Sequence, residues 1–143
     1  MSSNYFTTRY SFDKSRKKVW KAICEYLVKE ISPDAVVLEL GAGYCDFINQ
    51  IKARDKYALD INAQVAEYCN SDVKFTDVPL EKSDIAGESV DIIFASNLLE
   101  HLGDQEVNIL LAQTYRLLKK GGKIILIQPN YYYCYREYWD DFT

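Results

Sequence analysis

The sequence predicts one α/β domain with a doubly wound, mostly parallel sheet and helices on both faces. Short β-branched runs alternate with segments of helical apolar period. No sustained hairpin signal joins one run to the next, and a glycine turn directly follows the first run. The 143 residues, 48% of them apolar, suffice for a single contiguous core.

Taken in order, Asp13 is placed to cap a helix whose apolar positions Val19, Ile23, Tyr26, Leu27 and Ile31 recur at three- and four-residue steps until Ser32-Pro33. Its Lys14, Arg16, Lys17, Lys18 and Lys21 read as a solvated face with no function. Ala35 to Leu40 is a buried strand leading into Gly41, and Asp46 to Lys52 a short helix. Lys56 to Asp60 is the second strand, with Asn62 capping a helix over Ala63 to Tyr68. Val73 to Thr76, Val90 to Ala95 and Lys123 to Gln128 supply strands three to five. Before the fifth lies the clearest helix, starting near Asp104. It buries Val107, Leu110, Leu111, Thr114, Leu117 and Leu118 and stops at Gly121-Gly122. The chain thus divides into a helical segment (1–33), a core (34–130) and an aromatic tail (131–143). In the tail, Tyr131, Tyr132, Tyr133, Tyr135, Tyr138 and Trp139 either line a ligand pocket or lid or form an amphipathic segment that packs against other polypeptide.

Composition narrows the partners. A net charge of −4 works against nucleic acid phosphates and anionic lipid. No run approaches the roughly 20 apolar residues of a membrane span, and Met1 to Arg9 lacks the apolar core of a signal peptide, so a cytoplasmic location is expected. Cys24, Cys45, Cys69 and Cys134 are widely spaced beside a single His, so neither a metal site nor a disulfide framework is expected.

The informative segment is Glu39-Leu40-Gly41-Ala42-Gly43-Tyr44-Cys45-Asp46, a strand-to-helix turn with glycines where a ligand needs close backbone approach. A dinucleotide fingerprint would carry a small residue at position 46 and leave a helix N-terminus free for pyrophosphate. Asp46 and Glu39 instead bring negative charge to the turn, which suits a cationic ligand such as S-adenosylmethionine, with its sulfonium and ammonium. Asp60 ends the second strand nineteen residues after Gly41, where a carboxylate can accept both ribose hydroxyls. Asp77 follows the third strand, on the adenine side, with Val78 beside it.

Over Asp34 to Pro129 the sequence resembles the class I S-adenosylmethionine-dependent methyltransferases. VLELGAG is similar to the family's glycine-rich motif, ALDIN to its ribose-binding motif and FTDVPL to its adenine-side motif. VDIIFASNLLEHL and LLKKGGKIILIQPN resemble the segments around strands four and five. The resemblance implies a Rossmann-like sheet in the order 3-2-1-4-5 and S-adenosyl-L-methionine as cofactor. It places Glu39 toward the methionine amino group, Gly41, Ala42 and Gly43 along the methionine, Asp60 and Ile61 at the ribose, Asp77 and Val78 at the adenine, and Ser96 and Asn97 under the sulfonium. Two departures stand out. Cys45 occupies a place where the family often has a third glycine, and the chain ends without the closing strands six and seven. It therefore looks like a portion of a longer protein, or like a chain whose aromatic tail is covered by a C-terminal region or a homodimer partner.

Methyl transfer from a sulfonium is an in-line displacement in which alignment supplies much of the catalysis. A base is required only when the nucleophile must shed a proton, and His101 is the sole His available for that role, ahead of Glu100. Ser96-Asn97-Leu98-Leu99 stands where amino-methylating nucleobase enzymes carry a D/N-P-P-aromatic motif, and Glu100 alone does not make the paired-glutamate loop of protein-arginine methyltransferases. The expected reaction is methyl transfer to a small-molecule or saccharide-type acceptor at oxygen. The alternative is a non-catalytic domain that has kept the cofactor pocket for binding cofactor or a partner.

Overall fold

The computed structural model describes residues 14–134. Helix α1 (Lys14–Leu27) continues as a 3₁₀ turn (Val28–Glu30) into β1 (Val36–Leu40). Then come β2 (Asp55–Leu59), a 3₁₀ helix (Ala63–Tyr68), β3 (Val73–Thr76) and a 3₁₀ turn (Leu80–Lys82). The strand β4 (Val90–Ser96), a 3₁₀ turn (Leu99–His101), α2 (Asp104–Leu117), β5 (Leu118–Ile127) and one helical turn (Tyr131–Cys134) complete it. The five strands form one parallel sheet in the order β3-β2-β1-β4-β5, as expected. Among the described residues, no helix is long and apolar enough to cross a membrane.

β1 lies centrally and is buried along its whole length, which explains why its sequence is apolar without alternation. Its side chains sort by strand period onto two faces. Val37 joins Ile92, Phe94, Phe47 and Ile48 beneath Cys24, Leu27 and Ile31 of the N-terminal helical segment, whereas Val36, Leu38 and Leu40 join Ile93, Ala95, Leu80 and Leu117 on the α2 face. Phe47 and Phe94 are fully buried and stacked with centroids 3.7 Å apart.

Several local expectations change. Val19 and Tyr26 are exposed, and the buried stripe of α1 runs instead through Trp20, Ile23, Cys24 and Leu27. Residues 46–50 form successive turns, and no continuous helix runs over 46–52. Gly43 and Cys45 have φ of +51° and +54°, which interrupts the helical path, and the Ile48 N–H goes to a side chain, the Glu39 carboxylate. The Ala63–Tyr68 helix has the expected bounds and cap, with Asn62 accepting from the Gln64 N–H, but it is a 3₁₀ helix. In α2 only Thr114 and Leu117 are buried, and Leu111 is exposed.

α2 also ends sooner than Gly121-Gly122. Its chain turns extended at Leu118, and residues 119–122 loop out of β5 so that Leu118 pairs with Val90 and Lys123 with Ile92. Gly121 has φ +81°, and a side chain on Gly122 would lie about 3.1 Å from the Asp91 carbonyl. Asp91 closes this loop by accepting from Lys119 at 2.7 Å while also accepting from the Val36 N–H at 2.8 Å. The expected helix cap Asp13, and Tyr135, Tyr138 and Trp139 of the tail, lie outside the described residues. Tyr132 and Tyr133 are exposed and meet edge to face at 5.1 Å.

Because the Phe47–Phe94 stack joins the glycine-turn segment to the sheet, Phe94→Ala is expected to cost about 3–5 kcal/mol. Urea denaturation checks this; a loss below 1 kcal/mol would show that the stack does not hold this face together.

Candidate functional site

Parallel α/β sheets bind ligands outside the carboxyl ends of their strands, where the strand order reverses. Here that point lies between β1 and β4. A cavity of about 130 Å³ occupies it, lined by Glu39, Gly41, Ala42, Gly43, Ser96 and Asn97, six of the residues singled out from the sequence. A larger hollow of about 450 Å³ lies at the opposite end of the sheet, between Ser32, Asp34, Ala35 and the 119–123 loop. Its charges are largely spent on one another, in the Lys119–Asp91 and Lys123–Glu30 pairs, so the smaller cavity is the candidate site.

The turn after β1 is held by the residues that end β2. The N–H groups of Gly41 and Ala42 both donate to the Leu59 carbonyl, at 2.8 and 3.3 Å, and that of Gly43 donates to Asp60 Oδ2 at 3.0 Å. The Cys45 N–H donates to the Ala42 carbonyl and the Ile48 N–H to Glu39 Oε2. A phosphate-binding turn aims such donors outward at the anion. Here they are directed inward, which argues against pyrophosphate more directly than the acidic side chains do. Asp46 cannot carry that argument alone, because Arg16 of α1 pairs with its carboxylate at 2.8 Å while lying 5.0 Å over the Tyr44 ring.

Glu39 is 4% exposed and faces the same side of the sheet as Val37. Burial pushes its carboxyl well above the usual carboxylate range. The Ile48 N–H works against that shift, and the neighbouring charges of Asp46 and Asp60 add to it. Gly41 and Gly43 both have positive φ. The Leu98 side chain lies over Gly41, where a Cβ would meet it at 3.0 Å, whereas the space beside Gly43 is open. Glycine at both places keeps the cavity floor low.

The remaining expected residues sit along the carboxyl edge rather than in the cavity. Asp60 accepts from Gly43 and, through Oδ1, from the Asn62 N–H at 2.9 Å, and its own N–H reaches the Thr76 carbonyl. This brings it beside Asp77 and Val78, which follow β3. Ile61 is 65% exposed and Asp77 exposed, so the adenine-side residues form an open shelf. His101 is half-buried in the 3₁₀ turn after Asn97 and does not line the cavity. Sequence reasoning missed Arg16, Trp20 and Tyr44. Arg16 stood in a run read as solvated, and its partner lies thirty residues away.

A family model described as a methyltransferase domain matches residues 38–126. The chain belongs to this methyltransferase family. The class I S-adenosylmethionine-dependent methyltransferase resemblance read from the motifs is thereby borne out. Among curated proteins, phosphoethanolamine N-methyltransferase 1 of Triticum aestivum is 35% identical over 101 residues, covering 63% of this chain and 20% of its own length. The chain thus spans about a fifth of that relative. Among solved structures, the PH0226 protein of Pyrococcus horikoshii OT3 superposes with a TM-score of 0.79 at 16% identity, covering 96% of this chain and 66% of that one. Phosphoethanolamine N-methyltransferase 1 of Haemonchus contortus, in complex with phosphoethanolamine and S-adenosylhomocysteine, gives a TM-score of 0.60 at 18% identity, covering 85% of this chain and 34% of that one.

Glu39 holds its proton more tightly in the folded methyltransferase domain than in the unfolded chain. Its contribution to stability is therefore complete below the ordinary carboxylate range and is lost as pH rises through the folded pKa. Glu39→Gln keeps an acceptor oxygen for Ile48, so it is expected to raise Tm by about 5 °C at pH 8 and hardly at all at pH 4. Thermal melts at both pH values decide it, and equal shifts would place the effect outside ionisation.

Proposed function

We propose that this domain binds S-adenosylmethionine at the β1–β4 reversal and belongs to an enzyme that transfers its methyl group to the amine nitrogen of a small polar acceptor. The carrying observation is the inward direction of the N–H groups of Gly41, Ala42, Gly43, Cys45 and Ile48, which leaves the buried Glu39 and the Asp60 carboxylate to meet the ligand in place of an anion cradle. Glu39 suits an ammonium, whose charge offsets the cost of ionising a buried carboxyl. Asp60 retains lone pairs beyond its two backbone bonds and suits ribose hydroxyls. Asp77 and Val78 extend the same shelf toward an adenine, and Ser96 and Asn97 form the wall next to the reacting end. When bound, the cofactor supplies an electrophilic methyl on a sulfonium.

The oxygen acceptor favoured by the sequence gives way to nitrogen on two supports. The wheat and Haemonchus proteins are both named phosphoethanolamine N-methyltransferases. Among the described residues, both carboxylate oxygens of Glu100 are also buried without a hydrogen-bond partner, as is the Gln128 amide nitrogen. The two side chains stand at the carboxyl ends of neighbouring strands, since Asn97 bonds the Ile127 carbonyl at 2.9 Å. An unpaired buried carboxylate is costly, and an ammonium or amine satisfies it. In this reading Glu100 orients the acceptor nitrogen, and His101 takes the proton that must leave before its lone pair can attack.

Isothermal titration should show S-adenosylmethionine binding without comparable NAD binding, and Asp60→Asn should weaken it at least tenfold with the fold intact. With an amine acceptor such as phosphoethanolamine, Glu100→Gln should lower kcat/KM roughly 10- to 100-fold and leave cofactor affinity within about threefold. Turnover of hydroxyl acceptors in preference to amines would overturn the nitrogen assignment.

A further inference from the structure

Cys45 and Cys69 are far apart in sequence but meet behind the site, with their sulfurs 2.8 Å apart. Cys45 is wholly buried, at φ +54°, in the turn that lines the cavity. Cys69 ends the Ala63–Tyr68 helix and is partly exposed. The segments carrying them are already fastened together. The Tyr44 and Tyr68 rings meet edge to face at 4.7 Å, Asn49 donates to the Tyr68 carbonyl at 2.8 Å, and the Asn70 N–H donates to Asn49 Oδ1 at 2.9 Å. A disulfide requires sulfurs about 2.05 Å apart, so the pair must close by roughly 0.8 Å between segments that are already in register.

We infer that Cys45 and Cys69 form a reversible disulfide under peroxide, a modification site that staples the cofactor-binding turn to the helix following Asp60. In the first step the Cys69 sulfur attacks hydrogen peroxide, giving a sulfenic acid and releasing water. The Cys45 sulfur then displaces that hydroxyl as a second water, forming the S–S bond, so two thiols are oxidised by one peroxide. Cys69 is the reacting partner because it is partly exposed whereas Cys45 is wholly buried. Burial raises both thiols, so oxidation proceeds faster at pH 9 than at pH 7. A dithiol reductant restores the pair.

The test combines peptide mapping with melting and does not depend on cofactor binding. After mild hydrogen peroxide treatment, the digested wild-type chain should yield one Cys45–Cys69 cross-linked peptide, and Tm should rise by roughly 10 °C, as expected for closing a loop of this length. Dithiothreitol should reverse both changes, and Cys69→Ser should remove the Tm rise. Cross-links involving Cys24 or Cys134 instead, a Tm rise that persists in Cys69→Ser, or a cross-link that leaves Tm unchanged or lowers it would each overturn the inference. Mapping the wild-type chain decides the pairing even if the variant folds poorly.

Discussion

The Asp60 carboxylate holds two chain segments at once. One oxygen takes the Gly43 N–H of the turn after β1, and the other takes the Asn62 N–H that opens the following 3₁₀ helix. Through these bonds the end of β2 fixes the shape of the cavity floor at the end of β1, with the Leu59 carbonyl securing the two preceding residues. Asp60 is itself anchored to β3 through its N–H. The site is therefore a property of three adjacent strand ends, and its geometry follows from the parallel register of the sheet.

Electrostatics at the site follow from how each acid is satisfied. Asp46 is neutralised by Arg16, Asp60 is held by backbone donors, and Glu39 has only the Ile48 N–H in a buried setting. Burial holds the Glu39 carboxyl well above the usual carboxylate range, and a cation beside it would favour its ionised form. Arg16 does more than cancel a charge. By reaching from α1 across the turn to Asp46 and over Tyr44, it brings the N-terminal helix to the rim of the cavity.

Sheet order and strand positions were legible because buried parallel strands need contiguous β-branched runs, and VVLEL and VDIIFA can meet that need in few other ways. The site was legible where function depends on strand ends, which is why Glu39, the glycine turn, Ser96 and Asn97 fell into one cavity. What the sequence hid was of two kinds. The positive φ of Cys45 carries no sequence mark, and it is what turns the segment after Gly43 off the helical path that the sequence suggests. Contacts between distant segments, such as Arg16 with Asp46, depend on how α1 crosses the sheet, and a basic run alone does not show which of its members turns inward. The same limit explains Val19 and Tyr26. They fit a helical period as well as Trp20 and Cys24 do, and only the docked face distinguishes them.

The two halves of the site differ in how complete they are without a ligand. On the β1–β2 side the N–H groups of Gly41, Ala42, Gly43, Cys45 and Ile48 all have internal partners, and in the proposed reading Glu39 and Asp60 are left to meet the ligand beside the open space at Gly43. On the β4–β5 side, Glu100 and Gln128 have buried polar atoms with no hydrogen-bond partner among the described residues. A satisfied framework is preorganised and costs little to maintain, whereas unsatisfied buried groups lower stability and are tolerated where binding repairs them. In the proposed reading the unpaired groups mark where acceptor choice is made. On that reading an acceptor bearing a donor for Glu100 and an acceptor atom for Gln128 would restore both bonds, whereas one lacking either would leave a buried group unpaired, a penalty of about 1–3 kcal/mol for each group.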